Sequence, residues 1–227
     1  MTYLQLCNRL IQKCGISGSP LATLQSPAGE MARVAGWIDE AYLNIQQLQP
    51  DWDWMVGEVS FPTVAGQAFY TPAQCGVNDF AAWDAKSFRV YFNDPGVRSE
   101  VFLRWLDWAD WRDTYLYGNL RLAAGMPVHV SMRPDNRALA LGLWPDSGGY
   151  TVDGQYFRAP QALVAEGDVP LLPARFHLLI VYQAMQYYGA YEAATEVFSQ
   201  GKEQYAKMMR RLVADQLPRV EVGGPLC

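Results

Sequence analysis

The chain has 227 residues, with 18 Lys plus Arg against 23 Asp plus Glu and a formal net charge of -5. Half of the residues are hydrophobic, including 8 Trp and 13 Tyr, which is ample for a core and leaves aromatic residues over for a partner surface. The acidic balance argues against a free-standing nucleic-acid binder, whose footprint is a basic patch. Only Lys207, Arg210 and Arg211 cluster, at helical spacing near a helix end where cations suit the dipole.

Cys7, Cys14, Cys75 and Cys227 form no CxxC pair, so no zinc site is expected. Cys7 and Cys14 fall on one helix face about 10 Å apart, too far for a bridge, and free thiols in a reducing cytosol are expected. The opening MTYLQLCNRLIQKCG carries charges throughout and does not read as a signal peptide. No apolar run approaches membrane-spanning length, so no membrane partner is expected.

In chain order, residues 3–13 read as a short amphipathic helix stopped by Gly15. Residues 15–29 are a Gly/Ser/Pro loop of the kind ordered only by a neighbour. Residues 30–49 are the first strong helix, with Val34, Trp37, Ile38, Ala41, Tyr42, Ile45 and Leu48 on one face and Pro50 at its end. Trp52 and Trp54 follow between acids. Val59 and Phe61 then alternate with polar residues, Gly66 supplies a turn, and Phe69 and Tyr70 return, which predicts a hairpin. Residues 88–92 form a strand, Asn93-Asp94-Pro95-Gly96 a turn, and 97–103 the returning strand.

Trp105, Trp108 and Trp111 alternate with Asp107, Asp110 and Asp113, a pattern that fits a short helix over 105–113 with an aromatic and an acidic face. After the Gly125-Met126-Pro127 break, 128–132 and 138–143 read as strands around a turn at 134–137. Residues 150–158 are extended, with Asp153-Gly154 as a tight hairpin or bulge. Pro173 opens a helix broken at Gly189, and 192–215 is a second long helix ended by Pro218. The fold class is therefore α+β. A helical body (1–50 and 173–217) brackets a β-rich part (51–172) of antiparallel hairpins within one domain, 1–217, and 218–227 is a tail.

Nothing here reads as reactive. His129 sits in an alternating run and His177 in the first turn of a helix, neither in an HExxH motif, and both read as structural. There is no phosphate loop, no dinucleotide fingerprint and no GxSxG elbow. The acids beside the tryptophans raise a glycan-active site, which needs two facing carboxylates from separate elements. Three acids on one helix face read instead as a solvated face, and the tryptophans as packing on the β layer. No catalytic residue, cofactor or metal is expected.

Taken together, these pieces resemble the head–tail adaptor (head-completion or connector) proteins of tailed bacteriophages. The short helix ending in Cys14-Gly15, the run EMARVAGWIDEAYLNIQ over 30–46, Trp52, Trp54 and the 61–70 segment match the family's opening. Gly125-Met126-Pro127, Leu143-Trp144-Pro145-Asp146, the stretch from Tyr156 to Pro160 leading to Leu163, and Asp168-Val169-Pro170 before the helix of His177, Leu178, Ile180 and Ala184 match the second half. Residues 151–155 look like an insertion, and the tryptophan-rich helix is unusually aromatic for the family.

The resemblance implies a non-enzymatic structural virion protein, made in the host cytoplasm and placed at the head–tail interface. It implies a homo-oligomeric ring, commonly of twelve subunits, bound to the portal protein and to the next tail component. Genomic DNA passes through the lumen without specific binding, which a net-acidic chain suits. The family's portal-reaching element is its C-terminal tail, here Leu217, Pro218, Arg219, Val220, Glu221, Val222, Pro225 and Leu226. Val64, Ala65, Gly66 and Gln67, with Asn93, Asp94, Pro95 and Gly96, are candidate tail-side loops. Trp37, Trp52 and Trp54 are candidate anchors of a helix–sheet junction. Two rivals remain: another ring protein of tail completion or the tail tube, and a carbohydrate-binding module built on Trp105, Trp108 and Trp111.

Overall fold

A computed structural model describes residues 1–17, 19–49 and 51–217. The chain divides into two compact units, Met1–Met55 with Pro160–Cys227, and Val56–Ala159. The α+β class expected from the sequence is what the chain adopts.

The first unit is helical. Helix α1 (Tyr3–Cys14) starts at a capping box, in which Thr2 Oγ1 accepts from Gln5 N–H and the Gln5 side chain accepts from Thr2 N–H. It ends at Gly15, whose φ of 66° suits a residue without Cβ. Helix α2 (Glu30–Gln47) buries Val34, Ile38, Ala41, Tyr42 and Ile45 completely. The free thiols of Cys7 and Cys14 agree with the spacing argument; burial pushes both up to about 12.

After Pro173 a 3-10 turn (Ala174–Phe176) leads into α4 (His177–Tyr191), with α3 (Trp108–Tyr115) lying in the other unit, and then into α5 (Thr195–Gln216). Leu179, Ile180, Val181, Ala184 and Met185 are fully buried, because α4 packs against α1, α2 and α5 and has little solvent face. The break expected at Gly189 is not there. Helix α4 runs on to Tyr191, and the chain turns at 192–194, where Ala193 has φ 53°. Gly189 serves close approach instead: a Cβ there would lie 2.7 Å from Phe198 N.

Two loops are fixed by side chains of this unit. Asn8 holds the 15–29 loop by donating from Nδ2 to Leu21 O at 3.0 Å and accepting from Leu21 N at 2.7 Å. Glu166 accepts from Thr23 Oγ1 at 2.7 Å and from Leu24 N at 3.1 Å, which holds its carboxyl below the usual range. The 160–173 segment lies along α2. There Gln46 accepts from Gln161 N at 2.8 Å and donates to Gln161 O at 2.9 Å, while Asp39 accepts from Leu163 N at 2.7 Å. Gln46 is buried, so Gln46→Leu strands both backbone groups of Gln161. It should cost about 1–3 kcal/mol in urea unfolding, against a few tenths for an exposed glutamine.

The second unit holds two sheets. In the first, β9 (Tyr150–Arg158) is central. It pairs with β1 (Val56–Pro62) on one side and with β4 (Arg89–Phe92) and β3 (Phe80–Trp83) on the other, and β5 (Val101–Phe102) lies outside β4. The second sheet runs β2 (Phe69–Tyr70), β8 (Leu139–Gly142), β7 (His129–Met132), β6 (Arg104–Trp105). Val59, Phe61, Val90 and Val152 from the first sheet share one core with Val130, Leu139 and Leu141 from the second.

Four expectations are corrected. The 61–70 segment is no hairpin: β1 pairs with β9 and β2 with β8, so its two strands enter different sheets, though the Phe61 and Tyr70 rings still meet at 4.9 Å. Asp153-Gly154 neither turns nor bulges; β9 runs straight through, and Gly154 makes room for the buried Phe88 ring. The pairing is not wholly antiparallel, because β6 runs parallel to β7. Trp105 is in a strand, and helix α3 covers only Trp108–Tyr115. The hairpin β7–β8 forms as expected; β4–β5 also pairs, but its returning strand, expected over 97–103, is only Val101–Phe102, because Gly96–Ser99 is a 3-10 turn.

Candidate interaction surfaces

Strand direction gathers several loops at one end of the β unit. Strands β1, β4 and β8 finish there, at Pro62, Phe92 and Gly142, and β9 begins there at Tyr150. The turn at 145–149 binds both loops picked out from the sequence. Gly66 N donates to Pro145 O at 2.8 Å, and Thr63 Oγ1 donates to Ser147 O at 3.1 Å. Asn93 Nδ2 donates to Gly148 O at 3.2 Å, and Asn93 N donates to Gly149 O at 2.8 Å. Val64, Ala65, Gly66, Asn93, Asp94 and Pro95 are exposed, with Gln67 and Gly96 half-buried. The structure thus brings the two loops together.

A third segment, after α3, joins them and was missed from the sequence. Trp144 O accepts from Gly125 N at 2.8 Å, and Ala123 O accepts from Trp144 N at 3.3 Å. Tyr117 and Leu122 stand out at 74% and 92% exposure. Together with Gly66, Trp144 and Pro145 they line an open groove of ≈ 670 Å³. Val97 and Phe102, at 67% and 69%, are exposed on the neighbouring β4–β5 hairpin. Large apolar groups exposed in one region mark a surface for another molecule.

The other candidates lie elsewhere. Leu217 packs half-buried against the helical core, and Pro218, Arg219, Val220, Glu221, Val222, Pro225 and Leu226 lie outside the described residues. Trp37 packs on Tyr188 and Tyr191, with ring centroids at 5.9 and 5.6 Å. Trp52 is fully buried in the helical core, donates from Nε1 to Ile45 O at 3.1 Å, and stacks on Trp54 at 6.3 Å. All three belong to the helical unit.

The tryptophans after β5 are packing groups. Trp111 is fully buried, stacked on Trp108 at 5.4 Å and edge-on to Phe69 at 5.5 Å; Trp105 stacks on Phe88 at 6.3 Å. Asp107, Asp110 and Asp113 are exposed.

Both histidines hold structural bonds. His129 Nδ1 meets Tyr115 OH at 2.7 Å. His177 Nε2 donates to Leu172 O at 2.8 Å, and Met1 N lies 2.6 Å from its Nδ1. Burial pulls both below the ordinary 6.5, helped by Arg104 at His129 and by the Met1 ammonium at His177. Once unfolded, each binds its proton at the ordinary value, so the unfolded chain takes up more protons as pH falls through 6.5. Stability is therefore full above that value and declines below it. The thermal midpoint should drop between about pH 7.5 and 5.5, and His177→Gln should flatten that drop.

Among the described residues no group of three or more His, Cys, Asp or Glu is placed to hold a metal ion, and no helix is long and apolar enough to cross a membrane. The family model for the SU10 adaptor protein matches residues 1–225. The curated proteins contain no match to the chain.

Proposed function

The chain belongs to the SU10 adaptor protein family, and from that premise we propose that it is a non-enzymatic virion protein that forms a ring at the phage head–tail interface. Membership in a phage adaptor family agrees with the resemblance read from the sequence and brings interaction with other head and tail components. The finer reading is a ring of about twelve copies, docked to the portal through Leu217 and the tail beyond it, whose lumen passes DNA without gripping it. The next tail component meets the loop end of the β unit. Adhesion through many weak contacts, repeated by symmetry, supplies the affinity.

One observation carries this reading: loops far apart in sequence converge at one end of a well-packed β unit, carrying Tyr117 and Leu122 exposed beside a groove. A sugar platform is disfavoured, because Trp111 is spent on the core. The test mixes the protein with purified portal rings and images the product by electron microscopy. A chain truncated after Leu217 should lose portal binding. A Tyr117→Asp, Leu122→Asp chain should keep it and lose the tail component. Full portal binding by the truncated chain overturns tail docking, and rings that ignore portal point to a tail-completion part instead.

A further inference from the structure

The strand path β1, β9, β4, β5 of the first sheet ends in two free edges; the outer side of the short β3 is also unpaired among the described residues, but β3 carries a register shift between Phe80 and Ala82. Among the described residues no strand pairs with the outer side of β1 or of β5. Natural sheets blunt such edges with charge, proline or cover, because an open edge invites another strand. Here β5 is apolar on both faces. Val101 ends the core-side row Phe61, Val152, Val90, Val101, yet is 46% exposed. Phe102 ends the opposite row, Ser60, Asp153, Arg89, Phe102, and is 69% exposed. Both rows stop at β5 for want of a next strand.

We propose that β5 of one copy pairs with β1 of the next, so that the sheet continues from subunit to subunit around the ring. This rests on the ring reading above and names its interface. Three features favour this occupant. Successive strands across β1, β9, β4 and β5 are antiparallel, so β5 runs opposite to β1. A second copy brought alongside without being turned over therefore offers β1 in the antiparallel sense, with its core face on the correct side. Val101 then lies beside the core-side row of Val59 and Phe61, and Phe102 beside the row of Glu58 and Ser60.

Charge decides between this pairing and a two-fold one. Glu58 is the one charge in β1; beside β5, Glu100 is already paired with Arg89 at 3.6 Å, which leaves Arg98 and Arg104, and neither these two nor Glu58 has an ion-pair partner among the described residues. Pairing β1 with β1 sets Glu58 against its copy, and pairing β5 with β5 sets arginine against arginine. Only β5 on β1 brings opposite signs together, and that contact is heterologous, the kind that closes rings.

The test places benzoylphenylalanine at position 102 of the full chain, mixes light and isotopically heavy copies, and irradiates them with portal rings. Position 102 is exposed, so the change leaves the core alone; position 97 is the second probe site. Light–heavy adducts on Val56–Pro62 are expected. Rings in the micrographs with adducts anywhere else on the second copy overturn edge pairing and leave the ring standing. Absence of both rings and light–heavy adducts overturns the ring reading, and the pairing with it. Glu58→Arg alone, or Arg98→Glu with Arg104→Glu, should lose the rings, and the combined variant should regain them. Rings unaffected by either reversal, or lost without recovery in the combined variant, count against the pairing.

Discussion

Trp52→Ala should cost the helical unit about 3–5 kcal/mol, a large part of the roughly 5–15 kcal/mol that holds an ordinary domain folded. Trp52 is fully buried, so the change opens a cavity of indole size among residues that collapse only partly. It also removes the Nε1 donor from Ile45 O, a carbonyl near the end of α2 where the helix itself runs short of donors. Trp54, stacked on it, loses its partner face. Trp52→Phe keeps most of the volume and forfeits mainly the hydrogen bond, so about 1 kcal/mol plus a smaller cavity is expected. Trp54→Ala should cost less than Trp52→Ala, because Trp54 is only half-buried. Urea unfolding followed by far-ultraviolet circular dichroism orders the three. Equal losses at 52 and 54 would remove Trp52 from its central place.

The helices were readable because their signal is local. Period 3.6, Gly15 after α1 and Pro173 before α4 lie within the element they define or beside it. Strand existence was readable for the same reason, from alternation at Val59 and Phe61 or the turn at Asn93-Asp94-Pro95-Gly96. Strand partnership was not. The partner of Phe61 is Val152, some ninety residues on, and nothing around Gly66 says that β1 and β2 part company. Short β3 went unread because only the far end of β9 holds it.

Glycine misled twice for one reason. At Gly154 and Gly189 the sequence suggested freedom of the backbone, but both serve another element that comes too near for a side chain. The loop end was partly legible, since turn residues mark exposed tips. The stretch carrying Tyr117 and Leu122 was not, because an apolar residue in an aperiodic segment looks the same whether it is buried or bare. The edge of β5 was equally silent: exposure of Val101 and Phe102 depends on which strand stands beside them.

Gly189→Leu should separate α4 from α5. A Cβ at 189 would sit 2.7 Å from Phe198 N, 2.8 Å from its Cβ and 2.9 Å from its Cα. A flexible side-chain tip can swing away, but two of these three atoms are helix backbone. Relief requires α5 to shift along its packed face, or the last turns of α4 to unwind. Either loosens the same helix contact at Gly201, where a Cβ would lie 3.0 Å from both Met185 Cβ and Tyr182 O. The loss should reach the upper end of the roughly 1–3 kcal/mol usual for overpacking, or pass it. Gly36→Ala is the matched control. Gly36 is exposed within α2 with nothing within 4 Å of its would-be Cβ, so alanine there should gain up to about 1 kcal/mol from helix propensity. Thermal midpoints should therefore move in opposite directions for two changes that both remove a helical glycine. Adding Phe198→Ala to Gly189→Leu should not restore stability, because it leaves the backbone where it was. Restoration would mean that the Phe198 ring, and not the approach of the two helices, sets the demand for glycine.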